Sequence, residues 1–124
     1  MLRSSDKDAL TIVTGGITLP EALKAADALK AEGVAVRVVD LFSVKPVDAA
    51  TLQKCATETN NKLLVVEDHY PEGGMRDAVS QALQGVTIGH LAVREIPHSG
   101  KPAELLAKFN LDSVAITAEV KKML

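Results

Sequence analysis

Aromatic residues are almost missing from this chain, with two Phe, one Tyr and no Trp among 124 residues. Stacking platforms for nucleobases are thereby excluded, and Ala, Val, Leu and Ile must fill whatever core forms, as they do in layered packings against a sheet. A surplus of one charge is missing too: 14 Lys and Arg face 16 Asp and Glu, for a net charge of −2. That balance supplies no basic stripe for a nucleic-acid backbone. The single cysteine, Cys55, allows no internal disulfide, and no CxxC pair offers a zinc site, so a reducing compartment is the natural home. No apolar run approaches the ~20 residues that span a bilayer, and the opening MLRSSDKDALTIV has no apolar targeting core. The chain reads as soluble and cytoplasmic, binding neither nucleic acid nor membrane.

What is there is a globular composition, 47% hydrophobic and 24% charged, of one domain's length. Residues 1–7 read as a linker or frayed lead-in and residues 8–124 as a single domain. A first strand over 9–14 ends at Gly15-Gly16. Thr18-Leu19-Pro20-Glu21 has capping-box spacing, and Leu19, Ala22, Leu23, Ala26 and Leu29 predict one apolar helical stripe stopping at Gly33. A second strand covers 34–39, apolar on both faces as interior parallel strands are. Leu41, Phe42 and Val44 in the following irregular segment are too apolar for a free loop and should pack on something. Asp48 caps a second helix with Leu52, Cys55 and Ala56 on its buried side. A third strand over 63–66 leads to Glu67-Asp68-His69-Tyr70-Pro71-Glu72-Gly73-Gly74 and a third helix ending at Gly85. A fourth strand is expected over 86–95, ended by Pro97, then helices over 102–109 and 112–124, with Leu111 and Ile116 stapling the Asp112 cap. Strands alternating with helices require crossover connections, hence an α/β fold with a mostly parallel sheet covered on both faces.

Ligands of such sheets bind beyond the carboxyl ends of the strands, where three segments converge. The amides of Gly15 and Gly16 could face an anion at the start of a helix. Asp40 ends the second strand near the position that holds a ribose hydroxyl in dinucleotide folds, but the G-x-G-x-x-G fingerprint fails and a plain tight turn is favoured. The third segment gathers Glu67, Asp68, His69 and Glu72 ahead of Gly73-Gly74. One reading makes His69 a proton carrier or phosphate contact tuned by carboxylates. The favoured one has Asp68 and Glu72 satisfying helix amides while the glycines let the helix close against a neighbouring backbone. His69, His90 and His98 lack ligand spacing, Ser99-Gly100-Lys101 is an incomplete P-loop, no nucleophile elbow exists, and Cys55 is a core thiol.

The block Leu64-Val65-Val66-Glu67-Asp68-His69-Tyr70-Pro71-Glu72-Gly73-Gly74 resembles the V-E-D-H-Y-x-E-G-G segment in the C-terminal domain of transketolases, particularly the animal type. Further similar segments, in the same order, are Gly16 to Leu23, Val36 to Asp48, His90 to Val93 and Ser99 to Leu106. The resemblance implies a three-layer α/β/α domain with a five-stranded mixed sheet, one strand more than the pattern gives. It also implies a parent that transfers a two-carbon ketol unit between sugar phosphates of the pentose phosphate pathway, as a homodimer using thiamine diphosphate and a divalent metal, Mg or Ca. In that family the cofactor lies between two other domains, one carrying a G-D-G motif absent here. No catalytic, cofactor-binding or metal residue therefore transfers to this chain, which is expected to be inactive alone. Glu67, Asp68, His69, Tyr70, Glu72, Gly73, Gly74, Gly15, Gly16 and Asp40 remain as ligand-edge or interface candidates. Three functions stay open: a non-catalytic C-terminal domain supporting the dimer and lining the active-site approach, a phosphate or nucleotide sensor, and a protein-interaction module docking through Leu41, Phe42 and Val44.

Overall fold

The computed structural model describes residues 1–95 and 99–124. His98 and the strand end expected at Pro97 lie outside the described residues. Four strands, β1 (Thr11–Thr14), β2 (Arg37–Asp40), β3 (Lys62–Val66) and β4 (Thr87–Leu91), alternate with α1 (Leu19–Ala31), α2 (Ala49–Glu58) and α3 (Met75–Ala82), and α4 (Pro102–Lys108) and α5 (Ser113–Met123) follow. The strands form one sheet in the order β2-β1-β3-β4, every pairing parallel. The implied fifth strand is not found among the described residues. Among the described residues, antiparallel pairing is limited to a bridge between Arg3 and Val38, where the Leu2 and Arg3 amides both donate to the Val38 carbonyl.

Direction of travel decides which face each helix covers. The chain crosses from β1 to β2 one way and from β2 through β3 to β4 the other, and right-handed crossovers then put α1 on one face and α2 and α3 on the other. Alternation along each strand matches. Ile12, Val38, Leu64 and Val66 pack with Ala22, Ala26 and Leu29 of α1 and Ile116 and Val120 of α5. Val13, Val39, Leu63 and Val65 pack with Leu52, Cys55 and Ala56 of α2 and Val79 of α3. Every residue of β1 is buried, as a strand covered on both faces requires.

Several local devices form as their sequence demands. Gly33, at φ +84°, closes α1: its amide donates to the Lys30 carbonyl and the Val34 amide to that of Leu29, the paired bonds of a Schellman end. The Asp48 carboxylate accepts from the Thr51 amide and that of Asp112 from the Ala115 amide. Leu111 and Ile116 are buried in one cluster, stapling the start of α5.

Others differ. The capping box at Thr18 does not form, because a 3-10 turn over Gly16–Thr18 precedes α1. The Thr18 hydroxyl instead bonds Thr14 and the Val66 carbonyl, and Glu21 accepts from the Ser113 amide on α5. β4 stops at Leu91, four residues short of the expected end, because the Val93 amide turns to donate to the His69 carbonyl. Of Leu41, Phe42 and Val44 after β2, only Leu41 packs inward, while Phe42 is 92% and Val44 46% exposed. Arg37, set in an apolar run, is buried against Asp8 and Glu58. Burial disfavours its charge, and the hydrogen bonds led by Glu58 outweigh this and hold the guanidinium more firmly protonated than usual.

Candidate functional site

Between β1 and β3 the crossovers depart in opposite directions, which makes this point the switch of the sheet and the crevice beyond it the natural ligand position. A single hydroxyl fastens the two strand ends here. Thr18 Oγ1 lies 2.7 Å from Thr14 Oγ1 and 3.2 Å from the Val66 carbonyl. Above it opens a cleft of about 510 Å3 into which the structure brings Gly15, Gly16, Glu67, Asp68, His69, Gly73 and Gly74 together with Ile17, Val44 and Met75. Asp40 stands behind Gly15, whose missing side chain would meet the Leu41 carbonyl and Met75 Cε at 3.3 Å and Asp40 Oδ1 at 3.7 Å. Tyr70 turns to a neighbouring apolar pocket, and Glu72 is exposed.

Glu67 organises this edge. Its side chain is 4% exposed. Oε2 accepts from the Met75 amide at 2.5 Å, while Oε1 accepts from the Arg76 amide at 3.2 Å and lies 2.7 Å from His90 Nε2. The carboxylate thus caps α3 from the end of β3, favoured by the helix dipole as well as by the bonds. The expectation that Asp68 and Glu72 cap α3 is thereby corrected. A cap reached through space, eight residues before the amide it serves, has no signature in local spacing, and no capping bond comes from Asp68 or Glu72. Gly74 is glycine because a Cβ there would run into the Glu67 carboxylate and His69 Nδ1, so the helix closes upon side chains and not upon a neighbouring backbone.

Two further groups are not legible from spacing. His90, which lacks ligand spacing to the other histidines, faces Glu67 because β4 pairs with β3 and places His90 level with Val65. A lone histidine in an otherwise apolar strand is the available signal. Asp77 accepts from the Gly73 amide at 2.6 Å. That bond holds its carboxyl below the ordinary 3.8, helped by Arg76 and by the attraction of His90 and opposed by partial burial. His69 Nδ1 lies 2.7 Å from the Tyr70 carbonyl; a carbonyl only accepts, so this nitrogen carries the proton and Nε2 of the neutral ring is an acceptor.

The family model described as Transketolase, C-terminal domain matches residues 1–116. The chain belongs to that family. It is 48% identical to transketolase-like protein 1 of Bos taurus, with all of this chain and 21% of the relative covered, and 48% identical to transketolase of Rattus norvegicus, with 98% and 20% covered. Among solved structures it is similar to a split-gene transketolase described as an inactive beta4 tetramer, with a TM-score of 0.83 and 35% identity over 94% of this chain and 38% of that one. The transketolase C-terminal domain seen here spans about a fifth of the length of the curated relatives it matches.

Relatives of this name imply thiamine diphosphate and a divalent metal. The cleft residues do not fit them. The acidic and basic side chains on its walls, among the described residues, are those of Glu67, Asp68 and His69, with no Lys or Arg, so a diphosphate would meet carboxylates without a guanidinium or ammonium to pair with. Both oxygens of Glu67 are already engaged, and no group of three or more His, Cys, Asp or Glu poised to hold a metal occurs among the described residues. No helix among them is long and apolar enough to cross a membrane.

Proposed function

We propose that this domain serves as the non-catalytic C-terminal part of a cytoplasmic transketolase. Ketol transfer between sugar phosphates, with its thiamine diphosphate and divalent metal, belongs to other domains and to a second subunit of a homodimer. The observation that carries this reading is the segment after β2: Leu41 is anchored in the core while Phe42 is 92% and Val44 46% exposed. A large apolar side chain presented by a fixed backbone fits a face covered by further polypeptide. The occupied oxygens of Glu67 support the same reading, since a carboxylate that holds a helix start and an imidazole is committed to architecture. The split-gene relative, described as an inactive beta4 tetramer, agrees with a transketolase piece that does no chemistry alone.

This face is also what an interaction module would use, and here the partner is the remainder of the parent. A phosphate or nucleotide sensor is less well supported, because the cleft walls are acidic. The experiment mixes the chain with a transketolase truncated before its C-terminal domain and follows association by sedimentation. Phe42→Ser with Val44→Ser is expected to weaken association while leaving the chain's own melting temperature in place. Undiminished association of that variant would overturn the docking role.

A further inference from the structure

Beside the acidic cleft, sharing Ile17, Asp68 and His69 with it, lies a pocket of about 540 Å3. Buried Val93 and Leu111 belong to its lining. Its walls include Ile17, Tyr70, Leu105 of α4 and Phe109 just past the end of that helix. α4 buries none of its seven residues, so its apolar side chains look onto this space without being sealed by it. The buried apolar residues themselves gather into two clusters, one on each face of the sheet. A volume between ~300 and ~1,000 Å3, mostly apolar with a few polar groups, is that of a small-molecule site.

The polar groups decide what enters. Asp68 and His69 are exposed where they line the pocket. The carboxylate of Asp68 accepts, and His69, whose Nδ1 faces the Tyr70 carbonyl, offers Nε2 as an acceptor in its neutral form. The Tyr70 ring, 51% exposed, sits edge-on to His69 at 6.4 Å and presents a π face of the kind that attracts cations. No Lys or Arg lines the pocket among the described residues. Two acceptors, a π face and an apolar interior suit a ligand with an apolar body and a donating, positively charged end. They disfavour the phosphate or nucleotide of a sensor.

We propose that this pocket binds a small amphipathic amine, its ring or chain between Tyr70 and α4 and its ammonium at Asp68 and His69. Three matched probes test it: phenethylamine, 2-phenylethanol and phenylacetate share one body and differ in charge. Melting of the full chain is followed against each, since a ligand preferring the native state raises the transition, and amide NMR shifts report where it binds. The expected result is a rise with phenethylamine, shifts gathered at Val93, Leu105 and Phe109, an apparent affinity up to about fivefold above that of the alcohol, and least effect from phenylacetate. Asp68→Asn is expected to remove the preference for the amine while keeping alcohol binding. Leu105→Glu, on a half-buried position, is expected to abolish the alcohol signal with the melt of the free chain retained. No response to phenethylamine, shifts scattered away from α4, or a response to phenylacetate equal to that of the amine would each overturn the proposal.

Discussion

Glu67 Oε1 and His90 Nε2 stand 2.7 Å apart across β3 and β4, and the same carboxylate receives the first two amides of α3. One side chain therefore fixes the strand pair, the start of a helix and the floor of the cleft. Glu67→Ala strands two amides and an imidazole that had an ionised acceptor, and an expected loss of roughly 3 kcal/mol follows. Glu67→Gln keeps one acceptor oxygen but sets an NH2 group against a helix amide, for about 2 kcal/mol. Urea unfolding of both variants and of His90→Ala, arranged as a double-mutant cycle, checks the coupling. An additive result would deny that the pair acts as a unit.

Glycine at two adjacent positions has two separate reasons. At Gly74 an added methyl collides with Glu67 and His69, whereas at Gly73 the space is open and the obstacle is a φ of +73°. Gly74→Ala is therefore expected to cost about 2–3 kcal/mol through overpacking, and Gly73→Ala about 1 kcal/mol through backbone strain alone. Melting temperatures of the two variants give the order, and Gly73→Ala being the more damaging would contradict it.

Acid should destabilise the domain through its depressed carboxyls, which include Asp48 and Asp77 and two glutamates. The Arg37 guanidinium bonded to Glu58 holds that carboxyl below its ordinary 4.5, with attraction from Arg37 and Lys54 adding. Lys24 does the same for Glu21, helped by the Ser113 amide and opposed by partial burial. A carboxyl whose folded pKa is depressed adds stability in full above the unfolded value, and that stability is lost as pH falls below 4.5 and through the folded pKa. Urea midpoints are expected to hold level from neutral pH down to about 5 and then fall. The acid loss should shrink in Glu21→Gln. Stability that rises on acidification through 4.5 would contradict the assignment.

The start of α5 offers a cleaner test of local stabilisation. Asp112→Ala removes the acceptor of the Ala115 amide and is expected to cost about 1 kcal/mol. Leu111→Ala, emptying a side chain 1% exposed, should cost roughly 3 kcal/mol. Denaturant unfolding distinguishes a cap from a core residue by these sizes, and equal losses would mean that the staple is not packed as described.

The parts of the fold legible in the sequence are those fixed by neighbours along the chain. Asp48 with the Thr51 amide, Gly33 with its Schellman bonds, and Asp112 with the Ala115 amide each involve partners a few residues away, and the apolar stripe of Leu52, Cys55 and Ala56 follows from helical spacing. Features that local spacing misstates involve partners brought from elsewhere. Thr18 abandons its helix for Val66, Glu21 reaches Ser113, and Glu67 serves amides eight and nine residues onward while holding a histidine of the next strand. The place of the candidate site, at the carboxyl edge, is legible because parallel topology demands it. Its internal wiring is not, because pairing of β3 with β4, and not spacing, sets Glu67 against His90.

Ketol transfer by the purified chain, supplied with thiamine diphosphate, magnesium, a ketose phosphate and an aldose phosphate, tests the central claim most directly. Run alone and beside the same chain mixed with the remaining domains of a transketolase, the domain by itself is expected to give no turnover. Turnover by the domain alone would contradict the account.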